Sequence, residues 1–162
     1  MDQKLLSYLD DLKIDYKIHK HPAVFTVEES LKAEKQMPNV FHTKNLFLQD
    51  NKKRFFLVCM HAHDRVDLKE LKEKLDATKK LSFSSPEDLK EHLNLTPGSV
   101  SLFGMIYAKD VTLILDKKVW NAEKVGFHPN INTSTLELTH EDLEKFYSSL
   151  KCEKHIMEIP IK

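Results

Sequence analysis

Glycine is scarce in this chain, with three residues in 162, at positions 98, 104 and 126. Neither a phosphate-binding loop nor a dinucleotide fingerprint is present, which removes the common nucleotide-binding classes. Cysteine is limited to Cys59 and Cys152. Two thiols make no disulfide framework, and reduced thiols inside a cell are the expected state. Net charge is absent as well, since 25 Lys and Arg are balanced by 25 Asp and Glu. A protein that coats long nucleic-acid backbones needs a basic excess, so that class is disfavoured while a small footprint on an RNA end is not. No apolar run approaches the ~20 residues of a membrane span. The acidic, amphipathic start MDQKLLSYLDDLK lacks the apolar core of a signal peptide. The expected location is the cytoplasm, with neither membrane nor DNA as a partner. Repeats, low-complexity segments and linkers are all missing.

What is present is a composition of 41% hydrophobic and 31% charged residues, that of an ordinary globular chain with a real core. The expectation is one domain over residues 1–162. Leu5, Leu9 and Leu12 recur at helical spacing, so the chain opens with an amphipathic helix. Tyr16 and Ile18 suggest a strand ending near His21-Pro22. Thr26-Val27-Glu28-Glu29 is a capping-box pattern, with the Thr26 hydroxyl accepting from the Glu29 N–H and the Glu29 carboxylate reaching back to Thr26. It predicts a helix from Val27 to about Met37, stopped by Pro38.

Phe41 to Asp50 and Phe55 to Met60 are two strands joined by a short polar turn, a hairpin. Asp67 caps a helix bearing Leu68, Leu71 and Leu75, and Leu81 with Phe83 marks a short strand. Ser85-Pro86-Glu87-Asp88 starts a helix that ends near Leu95. Val100 to Tyr107, Val111 to Leu115 and Thr133 to Leu138 read as strands. Thr139 caps a last helix, and His155 to Ile159 reads as an edge strand. Helices interleave with both hairpins and single strands, which gives an α/β (α+β) class with a mixed sheet.

The segment FHTKNLFLQD, Phe41 to Asp50, carries a lysine in the middle of a strand. Alternation places Lys44 on the face of Leu46 and Leu48, and Asn45 on the other with Phe41 and Phe47. An ammonium among leucines is costly to bury unless an anion or strong dipole meets it. Either the lysine snorkels to the surface or pairs with a carboxylate, or its partner is a substrate. Pro97-Gly98-Ser99-Val100 follows a helix. Such a turn either simply ends the helix or exposes successive N–H groups as a small cradle for a carbonyl or anion. In Phe127-His128-Pro129 the proline extends the backbone before it, aiming His128 outward, either as a pocket wall, hydrogen-bond donor or base, or as one of nine histidines with a structural role only.

Cys59, His61 and His63 would share one face of an extended strand, with Asp64 after them, and His19-x-His21 repeats the theme. Neither set completes the ligand spacing of a zinc finger or zinc protease, and no metal or cofactor is expected. Cys59 lies in an apolar run where a thiol is inert packing, and no Gly-x-Ser-x-Gly elbow supplies a serine nucleophile. The basic pairs Lys52-Lys53-Arg54, Lys79-Lys80 and Lys117-Lys118 read as solvated turns.

Four segments taken in order, HPAVFTVEES at 21–30, KNLFLQD at 44–50, PGSVSLFG at 97–104 and FHPNINTST at 127–135, resemble the YbaK/ProX family of aminoacyl-tRNA deacylases. The stretch LSFSSPEDLKEHLNLTPGSV at 81–100 is similar to what precedes that family's central loop. The resemblance runs over nearly the whole chain and is nearest to the freestanding prolyl-tRNA editing proteins. It implies a mostly antiparallel sheet curled toward a barrel, with helices around it. It also implies hydrolysis of alanine mis-esterified to the proline tRNA, with the acceptor end of that tRNA as ligand and prolyl-tRNA synthetase as a second candidate partner. Carried over by position, Lys44 matches the family's required lysine and Asn45 its usual neighbour. Gly98, Ser99 and Val100 open the loop that holds the ester, Ser101 and Leu102 complete it, and His128 and Thr26 fall at the pocket. Leu102 stands where the family's loop has proline, so the accepted side chain is left open by this sequence. Two other readings stay open: a non-catalytic module of the same fold that binds aminoacyl-tRNA or a synthetase, and a metal-dependent hydrolase using Cys59, His61 and His63.

Overall fold

The computed structural model describes residues 2–77 and 79–162. Helix α1 (Gln3–Asp11) begins where the Asp2 carboxylate accepts from the Leu5 N–H at 3.1 Å, and it buries Leu5 and Leu9 completely. Strand β1 (Lys17–Lys20) and helix α2 (Val27–Glu34) follow. The hairpin of β2 (Phe41–Asp50) and β3 (Phe55–His61) is the spine of the molecule. Its turn is fastened by Asp50, which accepts from the N–H groups of Lys52 and Arg54 at 2.9 Å each and from Arg54 Nε at 2.6 Å.

Helix α3 (Leu68–Lys74), strand β4 (Leu81–Phe83) and helix α4 (Pro86–Leu93) come next, with Asp67 and Ser85 as the expected caps. A 3-10 segment (Leu102–Tyr107) leads to β5 (Val111–Asp116), α5 (Lys117–Asn121) and β6 (Lys124–Phe127). The chain closes with β7 (Ser134–Thr139), α6 (His140–Ser149) and β8 (Lys154–Met157).

The eight strands form one mixed sheet in the order β1-β7-β6-β2-β3-β5-β8, with β4 also on β2. Antiparallel pairs are β1–β7, β2–β3, β2–β4 and β6–β7. Parallel pairs are β2–β6, β3–β5 and β5–β8. The continuous apolar run of β3 reflects burial on both faces. Phe55, Leu57 and Cys59 enter one core with Leu5, Phe103, Phe127 and Phe146, while Phe56, Val58 and Met60 enter a second with Leu48, Leu71 and Ile114. Each fully buried side chain of this kind stabilises the fold by about 1.5–3 kcal/mol. The class is therefore α+β, and no helix is long and apolar enough to cross a membrane among the described residues.

Three local expectations are corrected. Val100 to Tyr107 is not a strand. Leu102, Phe103 and Met105 are all buried, which a two-sided alternating strand does not need. Buried Ser101 turns the chain by accepting from the Phe103 N–H at 3.1 Å while its carbonyl accepts from Gly104 at 2.9 Å. A Cβ on Gly104 would lie 2.5 Å from Leu95 Cδ1, so only glycine lets this segment sit against the end of α4. Second, α2 ends at Glu34 rather than near Met37, with the N–H groups of Gln36 and Met37 bonding three residues back to Ala33 and Glu34 in a tightened final turn. Third, the capping box closes one residue earlier than expected. Thr26 accepts from Glu29, but the Glu29 carboxylate meets the Phe25 N–H at 3.4 Å rather than that of Thr26.

Candidate active site

Both His-Pro pairs of the chain arrive at one place. His21 ends the β1 segment and is held to β7, its N–H donating to the Thr133 carbonyl at 3.0 Å. His128 follows β6 directly, and the two imidazoles meet edge to face with centroids 6.0 Å apart. A carbonyl can only accept, so the ring contacts assign the tautomers. His21 Nδ1 donates to the Pro22 carbonyl at 2.9 Å, with Nε2 at 3.0 Å from the Thr135 hydroxyl. His128 Nδ1 donates to the Ser134 carbonyl at 3.1 Å, which leaves Nε2 as a free acceptor in the neutral ring. Burial lowers the His128 pKa, with the Ser134 hydrogen bond opposing and the neighbouring His21 and His42 adding to the shift. His128 is thus a neutral imidazole near pH 7, with a lone pair available.

These rings line a pocket of about 40 Å³ together with His42, Thr43, Gly126 and Thr135, roofed by Ala33, Glu34 and Met37 from α2 and the residues after it. The space suits one water or a methyl-sized group, since a water molecule occupies roughly 30 Å³ of liquid. Gly126 sets its depth. A Cβ there would come within 2.8 Å of Val40 Cγ1 and 2.9 Å of Thr135 Cγ2. The Thr43 hydroxyl donates to the Gly126 carbonyl at 2.7 Å and locks β2 to β6 where their parallel pairing ends.

Lys44 is the next residue of β2. Alternation puts its side chain on the His42 face, about 7 Å further along the strand. It is half-buried, opposite Met60. Its pKa is lowered by desolvation first, with Asp64 opposing and Arg65 reinforcing the shift. Asp64 is already engaged by Lys118 at 3.3 Å, and Lys44 makes no ion pair or hydrogen bond among the described residues. Lys44 is not itself one of the residues lining the pocket; a partly desolvated ammonium whose attracting carboxylate, Asp64, is engaged by Lys118 can take an external anion or oxygen ligand. Asn45 points to the opposite face of β2, where its Oδ1 is buried without a hydrogen-bond partner.

The Gly98 turn stands at the rim. Its φ of +89° is a left-handed conformation that favours glycine. The Ser99 N–H is tied to the Thr96 carbonyl at 3.1 Å, while those of Gly98 and Val100 meet no acceptor among the described residues. The turn is fixed to the histidine loop by Ser101, whose hydroxyl donates to the His128 carbonyl. Ser101 and His128 are thus in direct contact, while Gly98, Ser99, Val100 and Ser101 are not among the residues that line the small pocket. Leu102 is different: it is 1% exposed and packs into the core, so any effect on the ligand would pass through the loop backbone. Thr26 is exposed and spends its hydroxyl on the helix cap.

Sequence reasoning did not single out His42, Thr43, Gly126 and Thr135, and took His21 only as part of a metal pattern. The repeated His-Pro pair was the available signal. Of the metal pattern itself, Cys59 is fully buried with its thiol pKa pushed up by desolvation, and His63 Nε2 pairs with Glu34 at 2.9 Å. The grouping of donor atoms found among the described residues is instead Asp88, Glu91 and His92 on α4, away from this pocket. A larger cavity, an open groove of about 910 Å³, runs past Lys53, Phe55 and Cys152 at the other end of the hairpin and contains none of the site residues.

Comparison with known proteins identifies the family. The family model of the aminoacyl-tRNA editing domain matches residues 21–146. The prolyl-tRNA editing protein ProX of Acetoanaerobium sticklandii is 41% identical, with 88% of this chain and 88% of that protein covered. Prolyl-tRNA synthetase associated domain-containing protein 1 of Xenopus laevis is 34% identical over 89% of this chain and 88% of its own. Among solved structures, a candidate trans-editing enzyme for prolyl tRNA synthetase superposes with a TM-score of 0.71, at 17% identity and 99% and 93% coverage. At that identity the likeness speaks for the fold. The matched span contains both His-Pro pairs, the lysine strand and the Gly98 turn, and the chain belongs to the aminoacyl-tRNA editing domain family.

Proposed function

We propose that this protein is a cytoplasmic trans-editing deacylase that hydrolyses alanine mis-esterified to the proline tRNA, with residues 1–162 acting as one editing unit. The observation that carries the reading is the half-buried Lys44, without an ion pair or hydrogen bond among the described residues, on the β2 face of His42, which lines the small pocket. An aminoacyl ester is already activated, so water suffices as nucleophile. Water attacks the ester carbonyl carbon, the carbon–ribose oxygen bond breaks, and the ribose oxygen takes up a proton as the free amino acid leaves.

In this mechanism the Lys44 ammonium holds a phosphate or hydroxyl of the terminal nucleoside and stabilises negative charge developing at the ester. The free N–H groups of Gly98 and Val100 orient the carbonyl. His128, neutral with Nε2 unoccupied, accepts a hydrogen bond from the water or from the amino group, and the ribose hydroxyl beside the ester positions the water. The pocket closed by Gly126, Thr135 and His42 takes a methyl side chain and resists a bulkier one. A synthetic site shaped for proline cannot sterically shut out the smaller alanine, which is the reason for a second hydrolytic site. The acceptor end of the tRNA is the ligand, and prolyl-tRNA synthetase is the proposed protein partner.

A deacylation time course with purified protein and a panel of mischarged proline tRNAs tests the proposal. The alanyl ester is cleaved well above its spontaneous rate and the prolyl ester is spared. Tight binding without hydrolysis of any ester would show a recognition module instead.

A further inference from the structure

Phe25 is 75% exposed, the largest exposure of the big apolar side chains among the described residues. Its place in the chain does not account for this. It immediately precedes the N-cap Thr26, a position where an apolar residue ordinarily staples onto the fourth residue of the helix. Here that residue is Ser30, so the staple has no apolar partner. The backbone is nevertheless fixed, its N–H donating to Glu29 Oε1 at 3.4 Å.

The ring stands at the mouth of the site. Val24 and His21, just before it, line the small pocket. Phe25 Cε1 lies 3.9 Å from where a Cβ on Gly98 would sit, and the Asn132 side-chain amide nitrogen lies 4.0 Å from the same point. Phe25 and Asn132 thus flank the Gly98 Cα, an aromatic ring and an amide beside the same turn. A flat heteroaromatic ring uses both: its face stacks on the phenyl ring and its edge bonds the amide.

We propose that Phe25 is the stacking platform for the terminal nucleobase of the tRNA acceptor end, with Asn132 placed to hydrogen-bond the base edge. The inference rests on the proposed function, because the base is carried by the ribose whose ester enters the pocket. The ring anchors and orients the nucleoside, and the acyl group is then presented to Lys44 and the Gly98 turn.

Two measurements test this. In deacylation assays with mischarged proline tRNA, Phe25→Ala lowers kcat/KM about tenfold, mainly through KM, and Phe25→Tyr restores it to within about twofold. On the same tRNA with an abasic terminal ribose, wild type and Phe25→Ala react alike. Separately, Phe25→Trp is titrated with an uncharged oligonucleotide ending in CCA. Its fluorescence is quenched beyond that of the wild-type protein, whose single tryptophan, Trp120, gives the baseline. An unchanged kcat/KM in Phe25→Ala, the same loss on the abasic substrate, or a quench no greater than wild type would overturn the proposal. Quenching by a protein that hydrolyses no ester would sink the deacylase reading while leaving the platform in place.

Discussion

His128 illustrates how a single residue's surroundings set its chemistry. Desolvation is the main cause of its lowered pKa, and the shift has a consequence for stability. Below its ordinary value of 6.5 the unfolded chain takes up a proton that the folded ring resists, so stability falls as the pH drops through 6.5 toward the folded pKa. His128→Asn removes this contribution. Thermal melts between about pH 7 and pH 5 should therefore show a shallower decline in Tm for the variant than for wild type. Parallel curves would mean that the imidazole is no more reluctant to protonate in the fold than out of it. Lys44 shows the same desolvation, only partly offset by Asp64, and an anion entering beside its ammonium would stabilise the charged form.

At the scale of elements, the site depends on the close approach of β2, β6 and β7. Gly126 is where this approach is tightest, and Gly126→Ala should destabilise the fold by about 1–3 kcal/mol through overpacking against Val40 and Thr135. Urea unfolding measures it, and a change under a few tenths of a kcal/mol would show that β6 has slack to move. The hairpin, the capped helices and the apolar run of β3 were legible because their signals are local: alternation, cap residues and turn chemistry. The segment around Leu102 was not, because its apolar residues suit a strand as well as a 3-10 turn, and the choice is made by Ser101 and Gly104 packing against distant residues. Helix α5 and strand β6 were missed because five and four residues are too few to establish a period. Lys44 stood out by its residue type within a strand, His128 by its pairing with Pro129, and the Gly98 turn by its Pro-Gly pair in a chain poor in glycine. His42, Thr43, Gly126 and Thr135 become neighbours only through the pairing of β2 with β6 and β6 with β7, which no local pattern reveals.

The whole molecule brings three loops together around the paired histidines His21 and His128. Residues 21–26 lead into α2, residues 97–101 follow α4, and residues 128–133 join β6 to β7. Two cores hold the sheet from either side, so the loops rest on a stiff support while their backbone groups remain available. On the proposed function this arrangement is catalytic and Lys44 supplies its positive charge. Single-turnover deacylation of alanyl proline tRNA by wild type and Lys44→Ala, each checked for an unchanged melting temperature, tests it most directly. The account predicts a loss of at least about a hundredfold for a folded Lys44→Ala protein, the scale expected when a charge-stabilising group is removed from an active site. A folded variant that cleaves the ester at the wild-type rate would contradict it.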